Sequence, residues 1–257
     1  MDITKLFDLT GRAALVTGGS RGLGLHIALA LGQMGARVAI TSRKADELEA
    51  ARQILLTKSI QAVAVVSDLA DVSTIEPMVS EVLRQFGHLD ILVNNAGTTW
   101  GSPAEEHPLD KWRKVIDLNL TGTFVLTKEI AVRSMIPRCY GRIINIASAA
   151  GLLGSMDMQA IAYHTSKGGL VNFTRALAGE WGHFGIAVNA ICPGYIPTKM
   201  SFGVLKTIAQ RVIDSTPLRQ MGEPEDLQGL VILLAGQAAR HITGQVIVVD
   251  GGRSAVR

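Results

Sequence analysis

The feature that most constrains this chain is an alternation. Short β-branched and apolar runs stand at 13–17 (AALVT), 37–41 (RVAIT), 62–66 (AVAVV), 90–94 (DILVN), 142–147 (RIINIA), 186–191 (IAVNAI) and 245–249 (QVIVV). Most of their positions are apolar, as in strands covered on both faces. Helical stripes lie between them: Leu23, Ile27, Ala30, Leu31 and Met34 form one, and Ile75, Met78, Val79, Val82, Leu83 and Phe86 another. Repeated β–α units of this length predict an α/β, doubly wound architecture, a parallel sheet of about seven strands with helices on both faces. No composition break marks a second domain, so residues 1–257 are expected to form one unit. Its long excursion at about 195–222 has the character of a substrate loop.

Composition narrows the function classes. With 47% hydrophobic and 18% charged residues, the chain has material for a large core. Lys plus Arg is 25 against 22 for Asp plus Glu, and the basic residues do not cluster, which argues against a nucleic-acid partner. No apolar run approaches the roughly 18 residues of a membrane span. The N-terminal "MDITKLFDLTGR" lacks the apolar core of a signal peptide, so a cytoplasmic location is expected. Cys139 and Cys192 read as reduced thiols, and the six histidines show no ligand spacing, so no metal is expected.

Chemistry enters at the first β–α turn, "LVTGGSRGLGLHIALALG". Gly18, Gly22 and Gly24 are spaced G-x-x-x-G-x-G between a strand and a helix. Such glycines allow a tight exit, close approach of backbone to a pyrophosphate, and helix–sheet packing, while the helix N-terminus offers free N–H groups. Ser20, Arg21 and Leu23 complete this dinucleotide cradle. At the tip of the second strand an acid would mark NAD(H), but Ser42, Arg43 and Lys44 stand there, and no carboxylate appears until Asp46. A hydroxyl beside a guanidinium suits a phosphate monoester, with Arg21 within reach, so NADP(H) is favoured and NAD(H) stays possible. An ordinary solvated basic turn is the alternative.

Ligands of open α/β sheets sit beyond the carboxyl ends of the strands. There fall Asp68, "NNAG" (94–97), Ser148 and "PGYIPT" (193–198). Tyr163 and Lys167 follow, four residues apart and on the helix stripe of Leu170, Thr174, Leu177 and Trp181, so both should point inward. A buried ammonium beside a phenol favours the phenolate and lowers its pKa. Reaching neutrality from near 10 would take about 4 kcal/mol, more than one ammonium gives and within reach if an oxidised nicotinamide adds its charge. Such a phenol is a general acid or base for a carbonyl and alcohol pair, and Ser148 could orient the same oxygen. Alternatively Tyr163 packs and Lys167 snorkels. His164, next along the helix, should point about 100° away and be structural.

Taken in order, these motifs resemble the short-chain dehydrogenase/reductase family, in its compact form, over essentially the whole chain. "TGGSRGLG", "NNAG", Ser148, Tyr163 with Lys167, and Pro193 with Gly194 match its pattern, as does Asn119 within "DLNLTG". The resemblance implies a Rossmann-type fold and NAD(P)(H)-dependent interconversion of a ketone and a secondary alcohol. It implies that Tyr163 transfers the proton, Ser148 positions the substrate oxygen, Lys167 binds the nicotinamide ribose, and Asn119 holds a relay water. Asp68 and Leu69 would contact adenine, Asn95, Ala96 and Gly97 the ribose, and Ile196 and Thr198 the carboxamide. Gluconate 5-dehydrogenase-like and 3-oxoacyl reductase-like members are loosely similar. Substrate choice would lie in residues 98–106, 149–160 and 195–222, with Trp100, Met156, Met158, Tyr195 and Met200 as a possible wall. Helices within 109–135 and 158–182 would pair in a homotetramer, or a homodimer. A catalytically silent dinucleotide sensor, or a sugar epimerase with a larger C-terminal part, are the rival readings.

Overall fold

A computed structural model describes residues 2–155, 158–197 and 202–256, with only the backbone of 202–207. The strands are β1 (Ala13–Thr17), β2 (Arg37–Ser42), β3 (Ala62–Val66), β4 (Ile91–Asn94), β5 (Gly141–Ile146), β6 (Ile186–Pro193) and β7 (Val246–Val249). They form one seven-stranded parallel sheet in the order β3-β2-β1-β4-β5-β6-β7. The helices are α1 (Gly22–Gln33), α2 (Ala45–Thr57), α3 (Ile75–Phe86), α4 (Leu109–Ile116), α5 (Gly122–Ile130), α6 (Ile161–Trp181), α7 (Phe202–Asp214) and α8 (Gln228–Ala235). This is the expected Rossmann-type, doubly wound arrangement.

The apolar runs end up where their composition demands. All of β1, β4, β5 and β6 is buried. Alternate residues of β1 feed the two layers: Ala14 and Val16 face the α1, α2 and α8 side, Ala13 and Leu15 the α3, α5 and α6 side. The α3 stripe buries Ile75, Met78, Val79, Val82 and Phe86. β7 departs from the pattern: it is an edge strand, and Val248 is 36% exposed.

β1 and β3 match the sequence reading, and the limits of the other five strands differ from it by one or two residues. β6 runs on to Pro193, carrying the chain directly to the Pro193–Gly194 turn. β4 starts at Ile91, because Asp90 serves as a buried anchor just before it. Its carboxylate accepts from Ala13 N at 3.0 Å and from Arg138 at 2.9 Å, and lies 3.1 Å from His88 Nε2. Residues 109–135 run as α4 and α5 with two π-helical turns, Asp117–Thr121 and Ala131–Met135. No described helix is long and apolar enough to cross a membrane.

Candidate functional site

The order of the sheet reverses between β1 and β4, and strands on either side send their connections to opposite faces. A cavity of about 480 Å³ opens there, running from the glycine turn to Tyr163 and Lys167.

The glycine turn is built by close approach. Gly18 and Gly22 have φ of +63° and +53°, the left-handed region that side chains disfavour. A Cβ on Gly24 would lie 2.2 Å from the Gly18 oxygen, so α1 packs onto the turn only without one. Arg21 precedes α1 in an extended conformation without a capping hydrogen bond from its side chain, which leaves the first N–H groups to a ligand. Asn95 braces the turn: its Nδ2 donates to Thr17 O at 2.8 Å, and its backbone N donates to Thr17 Oγ1 at 2.9 Å. Ser20, Leu23, Ala96 and Gly97 line the same cavity.

At the adenosine end the Thr41 and Ser42 hydroxyl oxygens are buried without a partner, both in residues lining the cavity. Arg43 lies 3.8 Å from Asp68, and Leu69 is beside them on the wall. Arg21 does reach this end, where its guanidinium meets Glu47 at 2.8 Å. Sequence reasoning missed Glu47, which is 26 positions from Arg21 and becomes its neighbour only when α2 folds back. Orphaned hydroxyls, surplus cations and an open glycine turn fit a phosphorylated dinucleotide.

The catalytic candidates converge at the other end. Lys167 is 4% exposed, and its Nζ donates to Ile146 O at 2.7 Å. It lies 5.8 Å from the centroid of the Tyr163 ring, so the inward-facing pair is observed. Burial holds the Lys167 ammonium down at about 8. Burial also pushes the Tyr163 phenol above its ordinary value, opposed by a hydrogen bond from Ser148. The expected lowering is therefore corrected: desolvation is the largest influence on the phenol and raises it, while the Lys167 ammonium bonds the Ile146 carbonyl.

Ser148 follows β5, and its Oγ accepts from Ala150 N at 3.1 Å, starting a short turn at Ala149–Gly151. A Cβ on Gly151 would lie 2.5 Å from the Lys167 carbonyl carbon, so this glycine lets the serine loop sit against α6. Asn119, in the first π-helical turn, is 1% exposed. Its Oδ1 accepts from Thr98 N at 2.8 Å, and its Nδ2 donates to Thr98 O and Ser166 Oγ, both at 2.9 Å. A Cβ on Gly97 would meet Asn119 Oδ1 at 3.4 Å and Lys167 Nζ at 3.6 Å, so carboxamide and ammonium border one small space.

Pro193, Gly194, Tyr195, Ile196 and Met158 line the cavity, whereas Trp100 does not and instead packs under the Lys111 ammonium at 5.0 Å. Thr198, Met156 and Met200 lie outside the described residues. His164 is among the residues that line the cavity, and its Nδ1 lies 2.9 Å from Ala160 O, a local contact in keeping with a structural role. Arg253 also lines the wall, 5.1 Å from the Tyr195 ring, and no sequence motif pointed to it.

Known proteins resemble this chain along its length. A family model described as enoyl-(acyl carrier protein) reductase matches residues 18–254. A 3-oxoacyl-[acyl-carrier-protein] reductase of Synechocystis sp. is 37% identical over 246 residues, 95% of this chain and 97% of the relative. Gluconate 5-dehydrogenase of Gluconobacter oxydans is 34% identical over 254 residues, 98% of each chain. The solved gluconate 5-dehydrogenase of Burkholderia cenocepacia, in complex with NADP and tartrate, matches with a TM-score of 0.95 over all of both chains at 30% identity. With the fold, the glycine turn and the polar cluster in place, the chain belongs to the short-chain dehydrogenase/reductase family of NAD(P)-dependent oxidoreductases.

Proposed function

We propose that this protein interconverts a ketone and a secondary alcohol with NADP(H) in preference to NAD(H), Tyr163 exchanging the proton. The observation that carries this reading is the placement of Ser148, Tyr163 and Lys167 on one wall of a cavity continuous with the glycine turn, with the Lys167 ammonium 5.8 Å from the Tyr163 ring. When bound, the reduced nicotinamide would supply the hydride. In the reducing direction Ser148 donates a hydrogen bond to the carbonyl oxygen, and Tyr163 passes its proton to that oxygen as negative charge develops there. The raised pKa keeps Tyr163 protonated at neutral pH, the form a proton donor needs.

Lys167 would hold the ribose hydroxyls, with its Ile146 bond fixing the direction of the ammonium. Asn119 borders the same space and would seat a water joining Lys167 to solvent. Asp68 and Leu69 would flank the adenine, while Pro193, Gly194 and Ile196 would hold the nicotinamide end.

The substrate is a β-ketoacyl thioester or a sugar or polyol ketone, the two classes named among its relatives. The NADP preference draws on Ser42 and Arg43 and on the NADP bound to the Burkholderia relative. A screen of both ketone classes with NADPH and NADH, followed by nicotinamide absorbance, is the test. Turnover of one class with NADPH ahead of NADH is expected. Binding of NADPH without turnover of any ketone would favour a silent sensor instead. The chain would assemble through α5 and α6 as a homotetramer or homodimer.

A further inference from the structure

The adenosine end of the cavity holds three cations, Arg21, Arg43 and Lys44, and two carboxylates, Glu47 and Asp68. Their pairing is uneven. Glu47 takes two of the cations: its oxygens lie 2.8 Å and 3.1 Å from Arg21 Nη1, and one of them is also 3.1 Å from Lys44 Nζ. Asp68 stands 3.8 Å from Arg43, a looser contact. The Glu47 side chain is 32% exposed, against 51% for Arg21 and 65% for Lys44, so the carboxylate is the more sheltered member of its trio. It sits in the first turn of α2, where the helix N-terminus favours negative charge. The Ser42 hydroxyl, by contrast, is buried and unpartnered.

We propose that Glu47 is a specificity-determining residue that tempers cofactor choice. It fills, from within the chain, the anion position between Arg21 and Lys44 that a 2′-phosphate would draw on. This inference rests on reading Ser42 and Arg43 as the 2′-phosphate side of the cleft. A phosphate monoester there must share both cations with a carboxylate or displace it. NAD(H) leaves the Arg21–Glu47–Lys44 contacts undisturbed, and the carboxylate remains an acceptor for a ribose hydroxyl. Glu47 therefore narrows the gap between the two cofactors. Because the pairs are partly exposed, the effect is several-fold rather than absolute. A residue that merely oriented Arg21 and Lys44 would act with the opposite sign, since its removal would weaken phosphate binding.

Calorimetric titration with 2′,5′-ADP and with 5′-AMP separates these outcomes without any turnover. In Glu47→Gln, which keeps the shape and loses the charge, 2′,5′-ADP should bind about five-fold more tightly, with 5′-AMP changed by less than about two-fold. The ratio of kcat/KM for NADPH over NADH should rise by a similar factor. Glu49→Gln, on the same helix but paired with Arg52 and Gln53, should change neither ligand. Weaker binding of 2′,5′-ADP in Glu47→Gln, or equal changes for both ligands, would overturn the proposal. Wild-type protein that binds the two ligands equally would overturn the NADP(H) reading and this inference together. A wild-type preference for 2′,5′-ADP that Glu47→Gln leaves unchanged would overturn the role of Glu47 alone.

Discussion

Lys167 and Tyr163 feel the same low-dielectric surroundings with opposite consequences. Burial disfavours the charged form of each, so the lysine falls to about 8 and the tyrosine rises. For the lysine this has a thermodynamic sign. Its folded pKa lies below the 10.5 of an exposed lysine, so between about pH 8 and 10.5 the unfolded chain binds more protons. Stability should rise with pH across that window, and the full penalty, about 3 kcal/mol, applies at and below neutral pH. Lys167→Met removes the penalty but leaves the Ile146 carbonyl without its 2.7 Å donor, a loss of about 1 kcal/mol. Urea unfolding of the ligand-free variant should therefore show a gain of about 1–2 kcal/mol at pH 7 that has vanished by pH 10. A variant less stable than wild type at both pH values would mean that the carbonyl bond outweighs the burial.

At the scale of elements, the run 109–135 does most to shape the site. A π-helical turn inserts one extra residue per turn and is often found at functional positions. Here the first such turn carries Asn119 inward to Thr98 and Ser166, while α5 beyond it leaves Phe124 half exposed. Phe124 meets Phe173 of α6 edge to face at 6.4 Å, and Val132, in the π-helical turn that follows α5, is 55% exposed. Such an apolar face on paired helices suits a second copy of the chain. Phe124→Glu should reduce the sedimenting mass to a smaller species while leaving far-UV circular dichroism unchanged. An unchanged mass would mean that this face carries no subunit contact. The π-helical turns were not legible in the sequence, because one inserted residue barely disturbs a 3.6-residue periodicity. The strands were legible, because largely apolar runs such as Ala13–Thr17 have few other homes.

Across the whole molecule, the sheet order brings together residues far apart in the chain. Gly18 comes from the first crossover, Asn95 from the end of β4, Ser148 from beyond β5, and Tyr163 from α6. Motif and spacing identified these because each has a local signature: a glycine pattern, a strand end, or a helical interval of four. Glu47, His164 and Arg253 had none, since their places on the cavity wall follow only from how distant elements pack. The direction of the Tyr163 shift was hidden for a related reason, as it depends on burial that no local pattern states. What this convergence sets beside the dinucleotide cleft is the Tyr163 phenol, the proton donor of the proposed reaction. Tyr163→Phe tests that most directly, with NADPH affinity read by fluorescence and ketone reduction read by absorbance. Affinity within about three-fold of wild type, with kcat lower by about a hundred-fold or more, is the predicted result. A variant that keeps more than about a tenth of wild-type kcat would contradict the assignment of proton transfer to this phenol.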